Sequence, residues 1–388
     1  MTAAGPLRIG FIPLVDAAAL IVAADKGFAA AEGLEVELVR EASWSNIRDK
    51  LAIGLFDAAH MLTPMAIASN LGLGHIKVPL AAPVSLATNG NAITVSAPLH
   101  AQLRQEAEGD IADPAVSARA LAALARRREA QGLEPLTFGM TFPFSTHNYQ
   151  LRYWMAEGGV DPDRDLRLVV LPPPYMVESL REGYVDGFCV GAPWNSIAVD
   201  AGLGVILHFG CEIFSCAPEK TLALRKVAAE DAFERTAALI RAVIRAMAFI
   251  GEADNRGEVA ALLAAKDRVG VDAGLISRTL EGRLRIDATG ATRSRSDYLR
   301  IGAAGARPAP VEAAWLYAQM VRWGQAPFAP QSLRAAVEVM RADLFDAAGG
   351  AIAPIAEAPG AIGAFSGPAF EPDAIERYLD AFAIGKKI

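Results

Sequence analysis

Short apolar runs bounded by glycine, proline and polar residues alternate with longer helical stretches along the first hundred positions. "LRIGFI" (7–12) and "LEVELV" (34–39) have the length and branched content of strands, and "AAALIVAADKGF" (17–28) between them is long enough for a helix. Gly27 and Gly33 punctuate its end. The next helix, "SWSNIRDKLAIG" (43–54), opens on Ser43 and Ser45, either of which can accept from the amides that a first helical turn leaves unpaired. "DAAHM" (57–61), "HIKVPLAAPV" (75–84) and "NAITVS" (91–96) then have strand composition. This strand, turn and helix order predicts an α/β fold with a mostly parallel sheet and helices on its faces.

A second unit of the same kind follows. The alanine-rich segment 114–132 predicts a helix, "LTFGM" (136–140) a strand, 147–157 a helix, and "LRLVVL" (166–171) a strand. A helix from about Pro174, a strand at "YVDGFCV" (184–190), a helix after "GAPWN" and a strand at "GVILHF" (204–209) complete it. "EKTLALR" (219–225) reads as a return to the first sheet, followed by helices at 229–250, 255–266, 272–283, 309–323 and 331–346. The Gly, Ala and Pro-rich passage 347–369 reads as irregular and 370–384 as ending in a short helix. The expected organisation is a discontinuous first lobe, 1–97 with 209–388, carrying the C-terminal helices, and a second lobe, 98–208, with a ligand cleft between them.

Composition narrows the function classes. A chain of 388 residues supports more than one core, and 53% hydrophobic with 21% charged residues is globular rather than disordered. Lys plus Arg total 37 against 44 Asp plus Glu, a net of −7 with no basic block, which disfavours direct binding of DNA or RNA. The run Arg126 to Arg128 reads as a solvated helix face. The start, "MTAAGPLRIGFIPL", lacks the basic, apolar and small-residue order of an export signal, and "AAALIVAA" (17–24) is too short to span a bilayer. The expectation from these is a cytoplasmic protein without a membrane span. Cys189, Cys211 and Cys216 fit a reduced compartment, and no His/Cys cluster has zinc spacing. No metal or cofactor is expected.

Enzyme signatures are missing. "GLG" at 72–74 and at 202–204 lacks the third glycine of a dinucleotide fingerprint, and there is no phosphate loop, zincin helix or Gly-x-Ser-x-Gly turn. Polar residues gather instead at predicted element ends: Trp44, Asn89, Asn91, His147, Gly191 and Lys220, with Trp194 just beyond. Each has an ordinary explanation. Trp44 can be a packing group, Asn89 and Asn91 an Asx turn around Gly90, His147 a helix cap, Gly191 a relief of backbone strain and Lys220 a solvated charge. Together they have another. A small anion loses hydration when enclosed and needs several directional donors. Lys220 can supply charge, His147 and Asn91 hydrogen bonds, Gly191 or a helix start backbone amides, and Trp44 a flat cover.

Long ordered stretches carry a resemblance. "LRIGFIPLVDAAALIVAADKGF", "VELVREASWSNIRDKLAIGLFDAAHML", "NGNAITVS", "FPFSTHNYQLRYWMAEGGVDPDRDLRLVVLPPP", "VDGFCVGAPWN" and "PEKTLALR" closely resemble the nitrate- and bicarbonate-binding family of two-lobed solute receptors, across almost the whole chain. The resemblance implies a periplasmic-binding-protein-like (type II) fold with the ligand in the cleft. "REASW…RDKL" and "STHNYQLRYWMAEGG" are similar to its nitrate branch. On these matches Trp44, His147, Gly191 and Lys220 fall on the small-anion pocket and Asn91 on a position that is often glutamine. Asn89 and Trp194 fall behind the contacts. No residue is assigned a catalytic role.

Exported transport receptors make up much of that family, while a cytoplasmic branch senses nitrate or nitrite and controls an ANTAR-type RNA-binding antiterminator. The expected lack of an export signal makes this chain look like the sensor branch. The implied mechanism is release of the antiterminator when the anion closes the lobes, a population shift driven by differential contacts in the two states. The alternative is the binding component of a nitrate or nitrite ABC transporter, with bicarbonate a less favoured ligand. Lys220→Ala is expected to weaken anion binding and leave the fold intact.

Overall fold

The computed structural model describes residues 5–349 and 362–385. Its strands are β1 (Leu7–Phe11), β2 (Val36–Arg40), β3 (Ala58–Leu62), β4 (Leu80–Asn89), β5 (Asn91–Ser96), β6 (Thr137–Met140), β7 (Arg167–Val170), β8 (Gly187–Gly191), β9 (Gly204–Phe209), β10 (Pro218–Arg225), β11 (Arg283–Arg285), β12 (Thr292–Ser294) and β13 (Leu299–Arg300). One sheet has the order β13-β4-β10-β3-β1-β2 and the other β7-β6-β8-β5-β9, and β11 pairs with β12 as a separate two-stranded ribbon. In the first sheet β1 runs parallel to β2 and β3, whereas β10 is antiparallel to β3 and β4. In the second, β6 is parallel to β7 and β8, and β5 is antiparallel to β8 and β9. Each sheet is therefore mixed, because the chain leaves the first sheet along β4 and re-enters it along β10.

Why the strands read as apolar runs rather than alternations follows from their position. β3 and β8 are buried at every residue, as strands covered on both faces must be. The helix Phe233–Gly251 buries Ala237, Ile240, Val243, Ile244, Met247 and Ile250, spaced three or four apart, in one apolar cluster with Leu20 and Ile21 of the helix Ala18–Asp25.

Two corrections to the lobe boundaries come from the sheets. β5 belongs to the second sheet, so the chain crosses between lobes at Gly90 and not after 97. Asn89, in the left-handed region at φ 63°, holds that crossing: its Nδ2 donates to the carbonyls of Ser215 and Asp297, and its Oδ1 accepts from the amide of Ala217. It thus ties the outgoing strand to the returning segment, and the local Asx turn expected around Gly90 is not what its side chain makes. The C-terminal helices do not belong to the first lobe alone. Trp315 packs on Phe214 at 4.9 Å between ring centroids, Phe382 on Tyr153 at 5.7 Å, and Gln325 accepts from the Tyr149 hydroxyl at 2.8 Å. Tyr149 and Tyr153 lie on a second-lobe helix, Thr146–Glu157, so the C-terminal segment straps both lobes.

Other departures have local causes. The helix Thr63–Leu71 went unseen because it is buried from Thr63 to Ser69 and has no polar stripe to reveal its period. The strand expected at 75–84 is Leu80–Asn89, and the helix expected at 331–346 breaks into Pro330–Val337 and Ala342–Ala347, where Met340 bridges to Ala82. The irregular passage expected at 347–369 lies mostly outside the described residues. Among the described residues no helix is long and apolar enough to cross a membrane.

Candidate functional site

Five of the polar residues singled out in the sequence converge where the two sheets face each other. Trp44 opens the helix Trp44–Ala52, whose cap is Ser43, its Oγ accepting from the Asn46 amide at 3.3 Å. Lys220 lies near the start of β10, in the middle of the first sheet. Asn91 begins β5, Gly191 stands opposite it at the end of β8, and His147 is in the first turn of Thr146–Glu157. Ser145, not His147, caps that helix, accepting from the Asn148 amide at 3.1 Å. All five residues are buried.

Their charges are organised by residues that sequence reasoning missed. Lys220 Nζ sits 2.6 Å from Glu219 Oε1 and 2.9 Å from Asp16 Oδ2, and 5.5 Å above the Trp44 ring. Asp16, in the turn after β1, also lies 3.0 Å from His60 Nε2 of β3, and the His60 ring packs on Trp44. Glu219 reaches across the cleft. Its Oε1 is 3.4 Å from His147 Nδ1, and its Oε2 accepts from Asn91 Nδ2 at 2.8 Å. Gln150 accepts from the same Asn91 nitrogen at 3.0 Å, and Thr141 Oγ1 lies 3.2 Å from His147 Nδ1.

The electrostatics follow from burial opposed by pairing. Burial raises Asp16, but Lys220 and then His60 outweigh it and hold the carboxyl below the usual range. Burial lowers Lys220, and Asp16 with Glu219 reverse this and leave it raised. Burial also dominates at His60, which is lowered in spite of Asp16, and at His147, which falls to about 4 against the opposing pull of Glu219. Several buried polar atoms here have no protein partner: Trp44 Nε1, Asn91 Oδ1, His147 Nε2 and Gln150 Nε2. Such atoms are rare in a folded interior and point to a ligand.

The structure corrects four expectations. Asn91 directs its amide hydrogens at two protein acceptors and leaves its oxygen unpartnered, so it presents an acceptor and not the donor anticipated. Gly191 is not in the left-handed region. It therefore relieves no strain, and a methyl there would face Asn91 Oδ1 and Asp16 Oδ2 at an ordinary contact distance of 3.5 Å, which places the glycine against the cluster. Asn89 uses its side chain at the lobe crossing described above. Lys220 is a buried ammonium between two carboxylates, so its removal endangers the fold as well as the site. Trp194, at the start of the helix Trp194–Asp200, packs against the apolar cluster of Met176, Phe188 and Val190, with its Nε1 buried and unpartnered.

Signals for the missed residues were faint. Asp16 is a lone charge in the apolar run "PLVDAAAL", and His60 interrupts a strand whose other residues are all apolar; both imply a buried partner without naming it. Among the described residues no group of three His, Cys, Asp or Glu side chains is placed to hold a metal ion. An open cavity of about 470 Å³ elsewhere, lined by Cys216, Arg256, Arg300 and Glu312 among others, contains none of the cluster. The functional site is assigned to the cluster because there unpartnered polar atoms from both sheets surround a buried ammonium.

Fold and site together define a two-lobed solute receptor of the periplasmic-binding-protein type, with a polar cluster built from both lobes. The chain belongs to the NMT1-like family, which it matches over residues 3–264. It is 31% identical over 391 residues to the nitrate/nitrite binding protein NrtA of Nostoc, covering 98% of this chain and 86% of that protein. It is 34% identical over 351 residues to the nitrate import ATP-binding protein NrtC of Synechocystis, covering 87% of this chain but only 49% of NrtC. The crystal structure of the periplasmic nitrate-binding protein NrtA from Synechocystis superposes with a TM-score of 0.87 at 27% identity, covering 98% of this chain and 99% of that one. The aliphatic sulphonate binding protein SsuA from Escherichia coli shares the fold, with a TM-score of 0.54 at 17% identity over 91% of this chain and 95% of that one.

Proposed function

We propose that the chain is the solute-binding component of an ABC-type import system and holds a small planar monoanion, nitrate or nitrite, between its lobes. The observation that carries this reading is Lys220, a buried ammonium at the lobe boundary beside unpartnered polar atoms of Trp44, Asn91 and His147. An anion closed into such a site gains the ammonium charge and fixed hydrogen bonds in place of water. Trp44, Asn91, His147, Gly191 and Lys220 are the proposed contacts, and the near full-length similarity to NrtA supports the ligand class.

The same similarities turn the reading away from a cytoplasmic sensor that controls an antiterminator. NrtC is described as a nitrate import protein and the NrtA of Synechocystis as a periplasmic nitrate-binding protein, which supports transport, and with it work in the periplasm. The activity proposed is binding without catalysis. A second reading is bicarbonate, favoured by one observation: the Asn91 oxygen is an acceptor, and bicarbonate has a hydroxyl to donate where nitrate has none. Isothermal titration with nitrate, nitrite, bicarbonate and sulfate in chloride-free buffer separates these. The expected result is one site for nitrate or nitrite, weaker binding of bicarbonate and no binding of sulfate, because a second negative charge meets Asp16 and Glu219. Binding of sulfate alone, or of no anion, sinks the reading.

A further inference from the structure

We infer that this site takes up its anion together with one proton, and that His147 carries the proton. The inference rests on the reading of the interlobe cluster as an anion site, and its first ground is charge. The cluster contains two carboxylates, Asp16 and Glu219, against one ammonium, Lys220, a formal charge of −1 with both histidines neutral. Enclosing a monoanion there without compensation makes −2 in a dry interior, where uncompensated charge is strongly disfavoured. Nitrate remains unprotonated in water at any ordinary pH, so a compensating proton must reside on the protein.

The second ground is the geometry of the two ring nitrogens. His147 Nδ1 faces Glu219 Oε1 at 3.4 Å and Thr141 Oγ1 at 3.2 Å, and Nε2 has no protein partner. A neutral ring protonated at Nδ1 satisfies Glu219 but turns the Nε2 lone pair on the anion. A neutral ring protonated at Nε2 donates to the anion and can accept from the Thr141 hydroxyl at Nδ1, yet it leaves that same lone pair facing the Glu219 carboxylate at 3.4 Å. Only the imidazolium donates at both ends. The charged and titratable groups facing His147 are Glu219 and Lys220 of β10 and Asp16 of the turn after β1. His60 lies behind Asp16, and Cys189 of β8 behind Gln150. Before the anion arrives, burial keeps the ring neutral down to about pH 4. The ligand then raises that value, so between the free-state and bound-state values affinity weakens as pH rises, by about tenfold per unit for one linked proton.

The test is titration of the full chain with nitrate at about pH 6.5 in buffers of different ionisation enthalpy, with Kd followed from about pH 5 to about pH 7. The expected result is uptake of close to one proton per nitrate and a Kd that rises about tenfold per pH unit. In His147→Gln, whose amide still donates but does not titrate, nitrate is expected to bind at least about tenfold more weakly near pH 5 and with no buffer-dependent heat. Nitrate binding without proton uptake overturns the inference and leaves the receptor reading standing, with His147 a neutral Nε2–H donor. Proton uptake that survives in His147→Gln overturns the assignment to His147. No binding of nitrate, nitrite or bicarbonate at any pH overturns both the inference and the reading beneath it.

Discussion

Lys220→Met is expected to abolish anion binding and to cost about 3–5 kcal/mol of stability, the usual loss when one partner of a buried ion pair is removed. The ammonium is the only positive group within reach of Asp16 and Glu219 among the charged residues described around the site, and all three are buried. Methionine fills much the same space, so the loss comes from two uncompensated carboxylates more than from packing. A second change separates fold from function. In Lys220→Met with Glu219→Gln one of those carboxylates is gone, and urea unfolding should recover more than about 1 kcal/mol while anion binding stays absent. A Lys220→Met protein as stable as the parent contradicts the account of the cluster, because the two carboxylates would then not depend on the ammonium.

Acidification from about pH 7 to about pH 5 is expected to destabilise the chain by several kcal/mol through its buried histidines. His147 and His208 are buried as neutral rings, their values pushed by burial to about 4 and about 3 from the usual 6.5. His60 is lowered for the same reason. Between the unfolded and folded values the unfolded chain binds more protons, so stability rises with pH and is lost as pH falls. At about 1.4 kcal/mol per unit, lowering the pH from about 7 to about 5 costs about 2 kcal/mol for each of His147 and His208, a large share of the total for a protein of ordinary stability. His208 pairs with Ser117, its Nε2 2.6 Å from Ser117 Oγ, and touches none of the proposed anion contacts, so His208→Gln is expected to flatten the pH profile and leave anion affinity unchanged. Nitrate works in the opposite sense. If its binding charges His147 and repays that ring for its burial, the rise in melting temperature it produces should be larger near pH 5 than near pH 7. A melting temperature that does not move between these pH values contradicts the burial of neutral histidines.

The parts of the site that were legible in the sequence share a property: each stands at an element end inside a long ordered match. Trp44 follows a capping serine, Asn91 opens a strand next to a glycine, and His147 begins a helix with its own cap. The parts that were not legible depend on pairing between distant positions. Asp16 and His60 gain meaning only from Lys220, more than 150 residues away. Glu219 is the sharper case. Neighbouring residues of a regular strand point to opposite faces, so Glu219 and Lys220 should be on different sides of the sheet. β10 is irregular there, with register shifts against β4 on both sides of Lys220, and the two side chains meet at 2.6 Å. No reading of "PEKTLALR" alone contains that irregularity.

The fold was legible to a different degree. Alternating strands and helices gave two α/β units, and the resemblance gave the cleft. Where the lobes join depends on hydrogen bonds between segments far apart, those of Asn89 to Ser215, Ala217 and Asp297, and on aromatic packing of Trp315 and Phe382 against the second lobe. These tie the two crossings and the C-terminal segment together. The expected cytoplasmic location rested on the first residues of the sequence, and the transport relatives now outweigh it.

The most direct test of the central claim is a crystal structure of the full chain grown with nitrate in chloride-free solution. The account predicts one nitrate between the lobes, within hydrogen-bond distance of Lys220 Nζ and His147 Nε2 and covered by the Trp44 ring. Nitrate density elsewhere, or a closed site that excludes the anion at saturating concentration, contradicts it.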